Sequence, residues 1–417
     1  MYYLFDTVCT YRKFKSETVN MIRGLDEIKL IACDMDGTFL SPEHTIREEN
    51  INAVQQVRKN QVEFIIATGR NRKSAQDIAG KRFSVSDNYG VFLNGALAYS
   101  HDGSLLFEKR VSNDLAVELF RLAESNSSIS LNLCSHDEFL APDLEEKYAL
   151  HLHDKYDDPY PSKLKKGYKT VKFPALHMIH VLADPDVVDS IWTKVQALCK
   201  KHGATLARNL PTDIAITHPE ATKGHAVSAI CKLKNLQIER HVCAIGDSGN
   251  DVSMVSLARI GVAMGNAREE LKRVANFVSS RNDEKKAEPG VARVLNLISG
   301  ALKKKRKMVI YEVNIEVDAD IAQKYVDWLV PHMKEMLTIP GFIDCNLADI
   351  EHLPAVVSTE KQEEEKKKKY MVATYRVESR EKLQQYFDVH AARLRGDGVN
   401  RFKGRFTCTR RIHSNLK

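Results

Sequence analysis

Two pairs of aspartates in this chain have the residue type and the spacing expected of groups that do chemistry. Asp34 and Asp36 directly follow one apolar run, and Asp247 and Asp251 follow another. A carboxylate can act as a nucleophile, as a general acid or base, or as a metal ligand. Thr68 closes a further apolar run, and Lys223 stands at a predicted helix start. Four separate signals thus fall at strand ends or helix starts.

The four carboxylates would repel one another if their strands are neighbours. One like-charged pair about 4 Å apart costs about 4 kcal/mol at an effective dielectric constant of about 20. Six such pairs, at roughly half that cost each, total about 12 kcal/mol, which is comparable to the stability of a whole domain. The sequence therefore predicts a bound cation at this site, or protonation of some of its acids.

The apolar runs that precede these residues predict buried strands of a parallel sheet. The runs are 28–33, 62–67, 91–93, 241–245 and 260–264. Predicted helices at 48–59 and 75–79 alternate with the first three, which is the order of a doubly wound α/β sheet. Ligands bind beyond the carboxyl ends of the strands in such sheets, and the aspartates lie there.

Several segments between residues 28 and 300 resemble the signatures of the haloacid dehalogenase (HAD) superfamily of phosphohydrolases, Cof-type branch. The order of the motifs matches, and so does a large insertion between the second and the third. One departure is 218–222, where the family often has a Pro-x-Gly turn, so the hinge of the insertion stays open. The segments are Asp34-Met35-Asp36-Gly37-Thr38, Thr68-Gly69-Arg70, Asn94-Gly95-Ala96, Ala221–Ala226, Gly246–Asp251, Met264–Ala267 and Gly290–Ala292.

The resemblance implies an enzyme that hydrolyses phosphoric monoesters with Mg²⁺ as its cofactor. Its substrate would be a small phosphorylated metabolite, such as a sugar phosphate or a cofactor phosphate, and the reaction would pass through an aspartyl-phosphate. Hard oxygen ligands and a phosphate substrate both favour Mg²⁺. The implied residues are catalytic Asp34 (nucleophile), Asp36 (acid and base) and Lys223, phosphate-binding Thr68, Gly69 and Asn250, and metal-binding Asp34, Asp36 (through its backbone carbonyl), Asp247 and Asp251.

Two other functions remain open at this point. A phosphomutase would use the same residues but return the phosphoryl group to its substrate. A non-catalytic binding or scaffold protein would retain the core and act through its C-terminal region. The individual residues also have plain structural interpretations, since Thr68 and Asp251 could cap helices and Lys223 could be a solvated lysine.

The composition shift along the chain predicts several domains. The HAD-like doubly wound sheet carries an inserted α+β cap, in which Arg208, Asn209 and Asp213 are candidates for substrate contacts. Lys303–Lys307 is interpreted as a solvated linker, with a nuclear-import signal as the alternative. The predicted segments are an N-terminal extension (1–27), a discontinuous core (28–96 and 213–300), the cap (97–212), a basic linker (301–308) and a C-terminal domain (309–417).

The C-terminal region predicts an α+β domain of the ferredoxin-like type. Apolar and polar residues alternate over 309–317, and the further elements complete a βαββαβ order. The region resembles a family of uncharacterised ferredoxin-like domains, which could bind a regulator, form a homo-oligomer, dock a protein partner or serve only for packing. Segment 360–369 is predicted to be an exposed loop. The other predicted elements are 319–336, 342–350, 369–377, 379–394 and 404–412.

Composition excludes some classes of function and favours one compartment. The 417 residues include 43% hydrophobic and 28% charged residues, and no apolar run approaches the roughly 20 residues of a membrane span. The net charge of +7 is concentrated in short lysine runs, which disfavours a nucleic-acid partner. The eight scattered cysteines favour a reducing, cytoplasmic location. A histidine metal site is disfavoured, since His177 and His180 should point to opposite faces of a strand.

Overall fold

A computed structural model describes most of the chain as two compact units, which divide after Ser299. Residues 1–23 of the predicted N-terminal extension and residues 360–367 of the predicted loop lie outside the described residues. The described residues are 24–142, 147–148, 150–151, 153, 160–164, 175–283, 288–350 and 368–414.

The strands and helices of the first unit alternate along much of the chain. The strands are β1 (Leu30–Cys33), β2 (Glu63–Ala67), β3 (Gly90–Phe92), β4 (Leu97–Tyr99), β5 (Leu105–Glu108), β6 (Ser130–Ser135), β7 (Glu138–Ala141), β8 (Ser162–Lys163), β9 (Met178–Leu182), β10 (Thr205–Leu210), β11 (Asp213–Thr217), β12 (Val242–Gly246), β13 (Ile260–Ala263) and β14 (Phe277–Val278). The helices are α1 (Glu48–Lys59), α2 (Arg72–Ala79), α3 (Asn113–Glu124), α4 (Pro185–Lys201), α5 (Lys223–Leu233), α6 (Ile238–His241), α7 (Val252–Leu257), α8 (Glu269–Val274) and α9 (Gly290–Lys307).

One eight-stranded sheet forms the core of this unit, in the order β14-β13-β12-β1-β2-β3-β4-β5. The neighbours from β14 to β3 are parallel. Every residue of the central strands β1 and β12 is buried, which explains why their sequences are continuous apolar runs. The doubly wound arrangement predicted for the core is therefore present.

The inserted region forms a second sheet in the order β10-β11-β9-β6-β7-β8. Its strands are antiparallel except for β7 and β8. Leu119 of α3 and Ile191 of α4 are buried with strand residues such as Leu131 and Ile179, so helices and sheet share one apolar core. This is the α+β character expected of the cap.

The limits of the two sheets differ from the predicted domain limits at 97 and 212. Strands β4 and β5 are hydrogen-bonded to the core sheet, whereas β11 belongs to the cap sheet. The reason for the first difference is the turn at Asn94 and Gly95, both of which have positive φ. This turn reverses the chain, so β4 returns antiparallel along β3 and extends the core sheet.

The second unit contains one four-stranded antiparallel sheet, in the order β16-β17-β15-β18. This order and the sequence of elements are those of a ferredoxin-like βαββαβ domain. The predicted helix 379–394 is two consecutive helices, α11 and α12. The elements are β15 (Val309–Asp318), α10 (Ala322–Met336), β16 (Phe342–Asp349), β17 (Lys368–Val377), α11 (Arg380–Val389), α12 (Ala391–Phe402) and β18 (Phe406–Ser414).

The basic run Lys303–Lys307, predicted to be a linker, is helical. It forms the end of α9, which begins at Gly290. Lysine and arginine are good helix formers, so a helix that starts on apolar residues continues through them.

Gly95 allows the closest backbone approach near the start of α5. Its φ is +96°, and a Cβ at this position would lie 2.2 Å from the carbonyl carbon and oxygen of Thr222. Because Thr222 precedes Lys223, any larger residue at 95 must displace the start of the helix that carries the lysine.

We expect Gly95→Ala to destabilise the first unit by about 3 kcal/mol or more, because a positive-φ penalty adds to a backbone clash. Gly203→Ala is the matched control, since its φ is +65° but nothing lies within 4 Å of the added Cβ. It should cost only about 1–2 kcal/mol. Urea unfolding followed by Trp192 fluorescence in a Trp328→Phe background reports this unit. Equal losses in the two variants would contradict the close approach.

Candidate active site

The strand register brings the predicted site residues to one edge of the core sheet. Cys33 at the end of β1 is aligned with Ile66 of β2 and with Ile245 of β12. Asp34 directly follows β1, and its N–H donates to the Ile245 carbonyl at 2.9 Å. Thr68 and Asp247 follow the two neighbouring strands. Residues from three separate segments thus meet where the parallel strands end.

A buried lysine bridges two of the aspartates. Lys223 is fully buried, and its Nζ donates to Asp34 Oδ1 at 2.5 Å and to Asp251 Oδ1 at 2.7 Å. The second oxygen of Asp251 accepts from the backbone N–H groups of Asp247 and Ser248, each at 3.0 Å. Asp251 therefore orients both the lysine and the loop that follows β12.

Three carboxylates cluster closely enough to hold one metal ion. One ligand oxygen from each of Asp34, Asp247 and Asp251 lies within 4.8 Å of the others. Thr38 Oγ1 donates to Asp247 Oδ1 at 3.1 Å, and a Cβ on Gly37 would lie 2.5 Å from Asp247 Oδ2. An all-oxygen, negatively charged donor set of this kind fits a hard divalent cation. Both oxygens of Asp251 already accept hydrogen bonds, so Asp34 and Asp247 are the better placed ligands.

Burial and like charge both oppose ionisation of these acids. Burial, followed by the Asp251 carboxylate, raises the pKa of Asp34 well above its ordinary value, although Lys223 acts in the opposite direction. The pKa of Asp247 is raised for the same two reasons. Burial alone would lower the pKa of Lys223, but Asp251 and Asp34 more than offset it and raise that pKa. The lysine stays charged, and three carboxylates share its single positive charge.

Asp36 has a partner that sequence reasoning did not assign. Arg70 Nε donates to Asp36 Oδ2 at 2.8 Å, and Arg70 Nη2 donates to Asp36 Oδ1 at 2.7 Å. Arg70 is buried, whereas the Asp36 side chain is 40% exposed. The sequence contained a signal for this contact, because Arg70 lies two residues after Thr68 in the same turn at the end of a strand. A bidentate pair of this kind fixes the direction of the carboxylate.

The residues predicted to bind phosphate are linked through Asn94. Thr68 is fully buried, and its Oγ1 accepts from the backbone N–H of Arg70 at 3.2 Å. A Cβ on Gly69 would lie 2.9 Å from Asn94 Oδ1, which in turn accepts from Asn250 Nδ2 at 2.8 Å. Asn94 was quoted as part of a motif, but no role was predicted for it. The structure places its amide between the Gly69 turn and Asn250.

The alternative structural roles suggested for Thr68, Asp251 and Lys223 have different outcomes. The N-cap of α2 is Asn71, not Thr68. Asp251 does form a capping box with Ser248, so its structural role coexists with its contact to the lysine. Lys223 begins α5 but is buried rather than solvated.

The cap residues named as substrate candidates have partners within the cap. Asp213 is buried and lies 3.0 Å from His180 Nδ1. Arg208 Nη1 lies 2.5 Å from Asp189 Oδ1, and the Asn209 side chain lies outside the described residues. A different cap residue contacts the core at the start of α2: Asp137 accepts from the backbone N–H of Lys73 at 3.2 Å.

The hinge that departs from the family pattern is held by an ion pair. Glu220 is paired with Lys109, which lies on the other connection between core and cap. The backbone N–H of Glu220 also donates to His218 Nδ1 at 3.0 Å, and that of Ala221 donates to the His218 carbonyl at 2.9 Å. A histidine side chain thus supports the turn at this hinge.

A histidine cluster occurs in the described residues: one ligand atom from each of Glu108, His136 and His177 lies within 4.8 Å of the others, and three of the four imidazole nitrogens make hydrogen bonds. His177 Nε2 lies 2.8 Å from Glu108 Oε1, and its Nδ1 accepts from the His136 backbone N–H at 3.2 Å. His136 Nδ1 lies 2.9 Å from the Tyr99 hydroxyl. Burial lowers the pKa of His177, so its imidazole is neutral. The pattern is that of a hydrogen-bonded histidine pair.

Comparison with known families agrees with this geometry. The profile of the haloacid dehalogenase-like hydrolases matches residues 31–295, and a domain of unknown function (DUF4286) matches residues 308–415. The first match spans more than half of the chain. The chain therefore belongs to the haloacid dehalogenase-like hydrolases, and the predicted family and fold class are confirmed.

Individual relatives match this chain over nearly their full length. Phosphatase YwpJ of Bacillus subtilis is 27% identical over 62% of this chain and 96% of its own. The 5-amino-6-(5-phospho-D-ribitylamino)uracil phosphatase YcsE of the same organism is 25% identical over 64% and 95%. A haloacid dehalogenase-like hydrolase from Bacteroides thetaiotaomicron, known from its crystal structure, has a TM-score of 0.58 and 20% identity over 65% and 99%. This last likeness concerns the fold.

The described helices were also compared with the requirements of a membrane span. None of them combines sufficient length with sufficient apolar character to cross a bilayer.

We expect Asp247→Asn to stabilise the metal-free protein at neutral pH by about 1–2 kcal/mol, because it removes a buried like charge. An acid with a raised native pKa costs stability as the pH rises above its ordinary value of 3.8, since the unfolded chain releases the proton first. The advantage of the variant should therefore shrink as the pH falls towards 4.

The measurement is urea unfolding of Asp247→Asn and of the unsubstituted chain, with EDTA and with Mg²⁺, read from Trp192 in the Trp328→Phe background. Mg²⁺ should stabilise the unsubstituted chain and have much less effect on the variant. Glu269→Gln, an exposed acid 3.0 Å from Lys272, is the control and should retain the full Mg²⁺ effect. Equal Mg²⁺ stabilisation in all three proteins would contradict the proposed ligand.

Proposed function

We propose that this protein is a Mg²⁺-dependent phosphatase that hydrolyses a small phosphorylated metabolite through an aspartyl-phosphate on Asp34. The observation that carries the proposal is the buried contact of Lys223 Nζ with Asp34 and Asp251, beside the Asp247 carboxylate. Membership of the hydrolase family and the phosphatase names of the relatives support the reaction class.

Asp34 is the proposed nucleophile because it is the carboxylate that directly follows the central strand β1. Lys223 binds its Oδ1, so its other oxygen is the one available to attack phosphorus. Formation of the bond from this oxygen to phosphorus breaks the ester bond, and Asp36 gives a proton to the departing oxygen. In the second step Asp36 accepts a proton from water, which attacks phosphorus and releases Asp34 and inorganic phosphate.

The cation belongs with the carboxylate cluster in this proposal. Mg²⁺ would be held by Asp34, by the backbone carbonyl of Asp36 and by Asp247, with Asp251 supporting the loop that carries Asp247. When bound, it supplies positive charge that offsets the charge on the phosphoryl oxygens.

The phosphate contacts come from the neighbouring strand ends. Thr68, Gly69 and Asn250 are proposed to contact the phosphoryl oxygens, with Asn94 holding the Asn250 amide in place. Arg70 donates to both oxygens of Asp36, so Asp36 must give up at least one of these hydrogen bonds and take up a proton before it can protonate the departing oxygen. Release of Asp36 from Arg70 is therefore part of the proposed cycle.

A cytoplasmic location is part of the same proposal. Phosphorylated metabolites and Mg²⁺ are both expected there. The described cysteines, among them Cys33 and Cys243 in the core sheet, are free thiols, which agrees with a reducing compartment.

We expect Asp34→Asn to abolish phosphate release from every member of a panel of phosphorylated metabolites, because the amide cannot form the acyl-phosphate. Asp36→Asn should lower kcat by about 10²–10³-fold, since proton transfer is lost while the proposed backbone ligand is kept. Asp36→Asn should also accumulate a ³²P-labelled enzyme that Asp34→Asn does not form. Full activity of Asp34→Asn would contradict the mechanism.

The phosphomutase alternative is separated by the fate of the phosphoryl group. With a hexose phosphate in H₂¹⁸O, a phosphatase releases inorganic phosphate that contains the label. A phosphomutase instead gives an isomeric hexose phosphate without label. A complete lack of turnover with Mg²⁺ across the panel would favour the binding-protein alternative.

A further inference from the structure

The second unit contains a partly open cavity that the proposed hydrolase chemistry does not use. It lies between the sheet and helices α10 and α12 and has a volume of about 80 Å³. Six of its eighteen lining residues are aromatic. The rings come from Tyr311, Tyr325, Trp328, Tyr375, Tyr386 and Phe406.

The charged side chains that line this cavity are all basic. Arg395 and Arg410 line it together with His332, and none of the lining residues is an aspartate or a glutamate. Burial lowers the pKa of His332, so its imidazole is neutral and the two arginines carry the charge. His332 also stacks on Trp328, with ring centroids 4.9 Å apart. A wall with two guanidinium groups and no acid favours an anion.

Arg395 is fixed in place but has an unused donor. Its Nη2 donates to the Tyr311 hydroxyl at 3.2 Å, and its guanidinium lies 5.2 Å from the Phe387 ring centroid and 5.9 Å from that of Tyr386. Its Nε is buried without a hydrogen-bond partner. A buried donor without a hydrogen bond lowers the stability of a protein by about 1–3 kcal/mol. A ligand that supplies an acceptor to this N–H would remove that cost.

The cavity is larger than a single water requires. A water occupies roughly 10–15 Å³ on this measure, and the cavity is partly open to solvent, so a ligand larger than its 80 Å³ can extend outwards. Its aromatic walls suit a flat apolar body rather than a fully hydrated ion. The phenols of Tyr325 and Tyr375 have raised pKa values because of burial, so they remain neutral and add no negative charge.

We propose that this cavity binds a small planar organic carboxylate. The carboxylate accepts the hydrogen bond of Arg395 Nε, and the flat body lies against Trp328 and the tyrosine rings. The ligand proposed for the C-terminal domain thus differs in chemical class from the phosphorylated substrate proposed for the first unit.

Benzoate is the probe, and Trp328 is the reporter. The chain has two tryptophans, so Trp192→Phe in the full-length protein leaves Trp328 alone. Benzoate should change its fluorescence in a saturable way. Benzyl alcohol, which has a similar shape without the charge, should bind at least tenfold more weakly, and so should inorganic phosphate, which lacks the ring.

Arg395→Gln should raise the dissociation constant for benzoate at least tenfold and leave that for benzyl alcohol unchanged. Arg393→Gln is the matched control, because Arg393 lies on the same helix but is exposed and paired with Glu335 at 2.7 Å. It should bind benzoate normally. Unchanged benzyl alcohol binding shows that the cavity of Arg395→Gln is intact.

Several results would overturn the proposal. The first is the absence of a saturable response to benzoate. The second is equal affinity for benzoate and benzyl alcohol. The third is equal benzoate affinity in Arg395→Gln and Arg393→Gln. Phosphate binding as tight as benzoate binding would show a bare anion site and would also overturn it. The first two comparisons need no substitution at Arg395, so they hold even if that variant does not fold. None of these results depends on phosphatase activity.

Discussion

The contact of one buried ammonium with two buried carboxylates is the constraint on which the first unit depends. Lys223 satisfies Asp34 and Asp251 together, and removing one partner of such a group typically costs about 3–5 kcal/mol because a buried charge is left unpaired. With Asp247 included, three carboxyl groups share the site with one ammonium, so full ionisation would leave an excess of negative charge. The excess is tolerated in a folded protein only if protons or a cation compensate it. The same excess supports the divalent cation proposed for this site.

That constraint explains why backbone must approach backbone so closely around the site. The ammonium reaches both aspartates only if the start of α5 lies against the turn after β3, and Gly95 provides that approach. Gly37 does the same for the Asp247 carboxylate. The parallel register of β1 with β2 and β12 then brings three strand ends together. The glycines of the motifs therefore allow the charged side chains to lie close together. Those side chains are the ones proposed to take part in the reaction.

The two units present opposite electrostatic problems. The first has more buried negative charge than its lysine can balance, whereas the cavity of the second has guanidinium groups and no acid in its wall. In each case the unbalanced charge supports the sign of the proposed ligand: a cation in the first unit and an anion in the second. Arg395 adds direction to this argument, because its orphan Nε–H needs an acceptor at a defined place.

The sequence by itself predicted the family, the buried core strands β1, β2, β3, β12 and β13, and the βαββαβ order of the second unit. Apolar runs that end in Asp34, Thr68 and Asp247 report local features, since burial and turns depend on neighbouring residues. Tertiary structure alone decided the partners: Arg70 with Asp36, Asn94 with Asn250, and Asp213 with His180 inside the cap. It also assigned β4 and β5 to the core sheet. Such pairings join residues far apart in the chain, and only strand register and packing bring those residues together.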